Sequence, residues 1–326
     1  ATIPTIRVDW PKVWHVNEQE LKEVVAEVSA KHEADIIVYT GVIARSGYDE
    51  VSRVCREQKT HDKALLVLST VGGDPHAGYR IARALTHHYG GYTILVPGLC
   101  KSAGTLICMG AKELVMADQS ELGPLDVQVR KSDELFDMGS GLDTVQALNY
   151  VQVQAMNAFR EYMVELKVDG GISTRMAAEI ASKFAAGLFG PVYGQIDPVR
   201  IAELQRAIEI AYAYGERLSA SSKNLKQHAL ERLVAEYPSH SFVIDRKEAR
   251  EIFFHVRQPE GAELKLAVGL PSGLRSPSGL PTICNLSHWM KGAPDEPSID
   301  AENAGGTTQC VGAGESSVCE IGQDSH

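Results

Sequence analysis

Two short stretches carry residue types that could act together on a carbonyl group. The first is "STVGGDPHAG", residues 69–78, which follows the apolar run "ALLVLS". The second is "KSAGT", residues 101–105, which follows the apolar run "GYTILV" at 91–96. Adjacent glycines at a strand-to-helix turn let the backbone adopt dihedrals closed to other residues and approach another group closely. Their N–H groups, beside a helix N-terminus, make a small anion pocket. The anion would be a phosphate or the oxyanion of an acyl-transfer intermediate. Neither GxGxxG nor GxxxxGK[ST] occurs here, so the phosphate-loop patterns do not fit. Ser102 stands at a second strand–helix junction, where the N–H of the following residue commonly faces the same spot as the hydroxyl. Ser102 is thus a candidate nucleophile, and the N–H groups of Ala103 and of Gly72 or Gly73 are candidate oxyanion donors. The plainer readings are a tight turn at the glycines and a helix cap at Ser102.

The elements that position these residues follow from periodicity. Residues 17–31 place Leu21, Val24, Val25 and Val28 at helical spacing. Residues 34–40, 64–69, 91–96 and 113–117 read as strands, with helices over 76–89 and about 102–111. Strands alternating with helices predict βαβ crossovers and a mostly parallel sheet. Their near-continuous apolar character predicts a sheet covered on both faces. Long helices are expected at about 142–167, 174–187, 198–219 and 223–236, and a short one at 245–256. From 257 the chain holds ten Gly, six Pro and eight Ser, a composition that cannot bury enough apolar surface to fold alone. The division is therefore an N-terminal segment and helix (1–30), a main domain (31–236), a docking segment (237–256) and a flexible arm (257–326).

The combination "STVGGDPHAG", "KSAGTLICMGA" and "ELGPLD" resembles the Clp protease and crotonase superfamily. Within it the chain is similar to the signal-peptide-peptidase-like branch, and most of all to the serine dehydrogenase proteinases. The resemblance covers roughly residues 34–200. It implies an α/β fold, a ClpP/crotonase-like ββα spiral with a mostly parallel sheet, followed by helices and the low-complexity arm. It also implies peptide-bond hydrolysis through a nucleophilic Ser102, with the Gly-Gly turn as oxyanion loop and no cofactor at the chemical step.

A serine hydroxyl needs an adjacent base. In Clp-type enzymes that base is a His downstream of the serine, but no His occurs between 89 and 227. Signal-peptide-peptidase-like members use a Lys instead, which serves only if burial lowers its pKa. Lys167, in "YMVELKVDGG", and Lys183, in the apolar "AAEIASKFAAGLFG", are the two positional candidates. Each reads equally as a solvated helix lysine. Lys101 adjoins Ser102 and is expected to point away from it. His76 follows the Gly-Gly turn as a site-lining or capping residue. Asp126, in "GPLD", is a candidate orienting residue near the substrate channel, or an Asp satisfying its own turn. His240 could reach the site only by a fold-back, and Ser241 or Asp245 is expected near a helix start. The segment "FGPVYGQIDP" departs from the family's closing pattern, which weakens carry-over of the substrate pocket.

Bulk properties restrict the alternatives. The 326 residues carry a net charge of -10, so no global basic field attracts nucleic acid. The six Cys form no CxxC pair, and Cys100 and Cys108 read as small hydrophobes in a reducing compartment. No segment reads as a secretory signal or membrane span, so a cytoplasmic protein without an anchor of its own is expected. Peptide or protein substrates, a homo-oligomer and a regulatory partner follow from the resemblance. Two competing functions remain: an inactive or partner-gated oligomeric scaffold of the same fold, and a crotonase-like enzyme on acyl-CoA thioesters. The nucleophilic serine argues against the second.

Overall fold

The computed structural model describes residues 17–125, 128–130, 138–269 and 279–291. In chain order the first elements are α1 (Glu18–His32), β1 (Ala34–Thr40), α2 (Arg45–Glu57), β2 (Lys63–Ser69) and α3 (Pro75–Tyr89). Next come β3 (Tyr92–Val96), β4 (Leu99–Cys100), α4 (Ala103–Met109), β5 (Glu113–Met116) and β6 (Glu121–Leu122). The hairpin β7 (Gln128–Arg130) and β8 (Met138–Ser140) leads into α5 (Gly141–Val168), α6 (Thr174–Tyr193) and α7 (Pro198–Ser222). The remainder is α8 (Ala229–Glu231) running into a π turn, α9 (Arg246–Ile252), β9 (Val256–Arg257), α10 (Ala262–Gly269), β10 (Thr282–Asn285) and α11 (Leu286–Trp289).

The main sheet has the order β10-β1-β2-β3-β5-β9. Every neighbouring pair is parallel except β10, which runs antiparallel to β1. Successive side chains of a strand point to opposite faces, and two buried cores result. On one face Ile37, Tyr39, Leu66, Leu68, Ile94 and Val96 meet α2, α3 and α4. On the other, Ile36, Val38, Leu65, Val67 and Leu95 meet Val25 and Val28 of α1, Leu266 of α10 and Leu286 of α11. Each fully buried Leu, Ile or Val contributes about 1.5–3 kcal/mol, so the strand ends that carry the site sit on a rigid platform.

The predicted strands and crossovers are present, with boundaries shifted by a residue or two. Two expectations need correction. The stretch from 257 is not all arm: β9 reaches Arg257 at one edge of the sheet, β10 closes the other edge, and α10 and α11 cover one face. This stretch has too little apolar surface to fold alone, yet each short piece is completed by a preformed sheet or by α1. A boundary at residue 30 or 257 therefore cuts through one core. The helix expected over 223–236 is also broken. Lys223 and His228 take positive φ, and only Ala229–Glu236 is helical.

A second, smaller layer of pairings lies beyond the carboxyl ends of the parallel strands. Ile43 bridges Gly73, Thr70 bridges Cys100, β4 pairs with β6, and Leu122 bridges Ile244. This row of main chain carries the candidate site.

Candidate active site

β2 and β3 are adjacent and parallel, so the loops after them emerge side by side. After β2, Gly72 and Gly73 take φ of +107° and +143°, which side chains rarely tolerate. Asp74 then caps α3, accepting from the His76 N–H at 2.8 Å, with Pro75 in the first turn. A Cβ on Gly72 would stand 2.9 Å from Ser102 Cβ, so the missing side chain is what lets the two loops meet. Between the loops, Thr70 N–H donates to Leu99 O at 2.8 Å and Lys101 N–H to Thr70 O at 3.0 Å.

Ser102 precedes α4 with φ +49° and ψ -112°, and its hydroxyl makes no capping hydrogen bond. This is a sparsely populated conformation for a residue with a Cβ, and such strain persists only where the surroundings impose it. It is the geometry of a sharp strand-to-helix turn that presents a nucleophile. The cap reading of Ser102 is thus overturned as far as the side chain goes. Gly104 is required behind it, because a Cβ there would meet Cys100 Sγ at 2.8 Å. Thr105 Oγ1 donates to Gly123 O at 2.7 Å, tying the Leu-Gly-Pro turn to the serine helix. Cys100 and Cys108 lie buried with sulfurs 3.6 Å apart, and burial pushes the Cys108 thiol well above its usual range.

The two glycines divide their roles. Gly72 N–H donates to Thr70 Oγ1 at 3.0 Å, while Gly72 O accepts from Ile43 N–H at 2.8 Å. Among the described residues, the N–H groups of Gly73 and Ala103 have no acceptor. Of the three candidate donors, Gly73 and Ala103 therefore have N–H groups available, whereas that of Gly72 is engaged within the turn.

Ser102, Gly72, Gly73 and Ala103 line one cavity of about 780 Å³. Its walls include Val42, Val71, Leu106, Leu125 and Ile210, so it is largely apolar. His76 lies at its rim, where Nδ1 is 2.8 Å from Tyr214 Oη. His240 and Ser241 also line it. The fold-back that brings them there rests on the Leu122–Ile244 bridge and on Lys101. Lys101 Nζ donates to Glu121 at 2.8 Å, Leu122 O at 3.2 Å and Phe242 O at 3.2 Å. Lys101 also lines the serine cavity, with its ammonium group engaged by these three acceptors. Asp245 caps α9, accepting from Glu248 N–H at 2.8 Å.

The two lysines singled out as bases are not brought to this cavity. Lys167 ends α5, exposed, with Nζ 3.4 Å from Ile172 O. Lys183 is 76% exposed and pairs with Glu179 at 2.9 Å. The desolvation expected from its apolar neighbours is absent, because those neighbours are themselves exposed: Ile180, Phe184 and Leu188 all face outward. Asp126 lies outside the described residues. Among the described residues, no cluster of three or more His, Cys, Asp or Glu could hold a metal, and no helix is long and apolar enough to cross a membrane.

Residues 34–209, more than half of the chain, match the family described as ClpP-like SDH-type serine proteinase. The chain belongs to that family, and its α/β architecture is the ClpP/crotonase-like fold. Two uncharacterized proteins of Methanocaldococcus jannaschii are similar to it. One is 24% identical over 202 residues, 58% of this chain and 68% of its own length. The other is 33% identical over 81 residues, 25% and 28% of the two chains. Among solved structures, a membrane-bound stomatin-specific protease aligns over 45% of this chain and 68% of its own, at 22% identity and a TM-score of 0.29. ClpP1 from Listeria monocytogenes aligns over 49% and 81%, at 14% identity and a TM-score of 0.26.

Proposed function

We propose that this chain hydrolyses peptide bonds with Ser102 as the nucleophile. The observation that carries the reading is the strained, uncapped serine that lines one largely apolar cavity together with two acceptor-free amides. Ser102 Oγ adds to the scissile carbonyl and gives up its proton to a base. The resulting oxyanion accepts from the Gly73 and Ala103 N–H groups, which are fixed beforehand and so stabilise charge without reorganising. Collapse expels the amine and leaves an acyl-enzyme, which water then releases. The apolar walls suit an aliphatic or aromatic side chain beside the scissile bond.

For the base, the reading takes an imidazole of the cavity, His76 or His240. His76 is already oriented through Nδ1 by Tyr214, the arrangement a base–orienter pair needs. A Ser–Lys dyad is the second reading. What favours it is the exposed apolar face of α5 and α6, which includes Met156, Val164, Ile180 and Phe184. Self-association through that face would desolvate Lys167 or Lys183 and lower its pKa. A homo-oligomer is part of this second reading.

Fluorophosphonate labelling read by intact mass tests both. Wild type is expected to take one label and Ser102→Ala none. Loss of labelling in His76→Gln or His240→Gln, with Lys167→Ala and Lys183→Ala unaffected, supports an imidazole base. The reverse pattern supports the dyad. A folded wild type that takes no label under any condition overturns the nucleophile assignment.

A further inference from the structure

A second depression of about 670 Å³ opens beside the serine cavity and shares His76 with it. Its floor is one stripe of α3, on which His76, Tyr79, Arg80, Arg83 and His87 recur at helical spacing. Arg45 of α2 and Arg217 of α7 form the two banks. Four guanidinium groups thus converge on one trough in a chain whose net charge is -10.

Three of these charges are held without being neutralised. Arg45 pairs with Asp49 at 3.1 Å, but among the described residues Arg80, Arg83 and Arg217 have no carboxylate partner. Instead, Arg45 and Arg80 both lie over the Tyr48 ring, at 5.2 and 5.5 Å, and Arg83 lies over Tyr79 at 5.9 Å. Tyr79 in turn stacks on Tyr214 at 4.1 Å, which fixes that bank. Gathering like charges costs energy unless an anion answers them, and aromatic rings that hold guanidinium planes leave their N–H edges facing outward.

We propose that this trough binds an acidic segment of the polypeptide that occupies the serine cavity. The inference rests on the peptidase reading only for the identity of the ligand as substrate. From His76 to His87 the stripe runs roughly 16 Å along α3 at 1.5 Å per residue. An extended chain covers that distance in about five residues at 3.3 Å each. The specificity is therefore an apolar residue at the serine cavity and a run of Asp or Glu, about five residues long, beyond His76. Carboxylates pair with guanidinium forks in bidentate fashion, so the trough reads the charge of the segment and the cavity reads its apolar anchor.

The test uses the full-length Ser102→Ala protein, which binds without turnover, and three fluorescein-labelled peptides. Each has a Leu anchor followed by five Glu, five Gln or five Lys. Anisotropy is expected to show the Glu peptide binding at least about tenfold tighter than the Gln peptide, with the gap closing as salt rises. Arg80→Gln/Arg83→Gln/Arg217→Gln in the same background should remove that gap, and Arg83→Gln alone should reduce it. Glutamine keeps helix propensity at these surface positions, and an unchanged melting temperature verifies folding. Equal binding of the Glu and Gln peptides, or a triple variant that keeps the preference, overturns the proposal. So does a single-stranded oligonucleotide that outcompetes the Glu peptide. Fluorophosphonate labelling of the triple variant with Ser102 intact is read separately and should match wild type. Binding without labelling rejects the nucleophile and keeps the trough, and labelling without charge preference does the opposite.

Discussion

Replacing Ser102 by Gly should stabilise the protein while removing the proposed nucleophile. The serine holds φ +49° and ψ -112° with no capping hydrogen bond to lose. A non-glycine residue in such a region costs about 1–3 kcal/mol. Glycine adopts the conformation freely, but ordering its more flexible unfolded backbone costs about 0.5–1 kcal/mol. The net gain is about 1 kcal/mol, which for a chain of this size raises Tm by roughly 1–2 °C. Ser102→Ala keeps the Cβ and hence the strain, so it should lie within about 0.5 kcal/mol of wild type. Gly72→Ala should move the other way. Its Cβ would press on Ser102 Cβ at 2.9 Å and its φ is +107°, for a loss of about 2–4 kcal/mol. Urea unfolding followed by circular dichroism, with the slope held constant across variants, measures all three. A Ser102→Gly protein no more stable than Ser102→Ala would refute the claim that the backbone is strained at the serine.

Two further perturbations probe the contacts that hold the outer segments to the sheet. Lys101→Met should release the 239–243 segment, since Nζ bonds to Phe242 O and Leu122 O are lost. Amide exchange there should quicken at least about tenfold, with a stability loss of about 1–3 kcal/mol. Glu263→Gln probes the ion cluster that anchors α10. Burial alone would raise the Glu263 carboxyl, but Arg257, His32, the Glu260 N–H and Lys31 override it and hold it well below the usual range. A lowered native pKa gives stability that is present above the unfolded value of about 4.3 and fades as pH falls below it. The wild-type advantage over Glu263→Gln, about 3 kcal/mol at about pH 5, should therefore shrink as pH falls below about 4 and the carboxylate protonates. An advantage that grows below about pH 4 would contradict this sign.

The sequence made the platform legible and left the base obscure, for reasons visible in particular residues. β1, β2 and β3 are continuous apolar runs because both faces of the sheet are covered, and Gly-Gly, Asp74 and Pro75 spell out a turn, a cap and a first helical turn. β10 is four residues long and flanked by Pro281 and Leu286, so nothing local marks it; its pairing with β1 is what makes it a strand. Helix α2 escaped notice because it begins with polar residues and Gly47, whose lack of a Cβ makes room for the Tyr39 ring. Lys183 misled in the opposite way. An apolar neighbourhood in sequence means burial only if some surface covers it, and on α6 only Ala177 and Ala181 are buried. His240 stands 138 residues after Ser102 and comes to the cavity through the Leu122–Ile244 bridge and the Lys101 clamp, which no local pattern encodes.

The division of labour within the site follows from that history. The proposed nucleophile and both proposed oxyanion donors come from loops at the carboxyl ends of two adjacent parallel strands, where neighbouring crossovers leave an open crevice. Their relative placement is held by main-chain pairing of Thr70 with Leu99 and Lys101 and of the Gly-Gly turn with Ile43. The far walls, by contrast, are Ile210 and Ala211 of α7 and the segment that carries His240. These elements set what enters the cavity and which imidazole reaches it. Substitutions near Thr70 should thus act on reactivity toward any acyl probe, whereas changes along α7 or at the Lys101 clamp should act on which peptide is accepted.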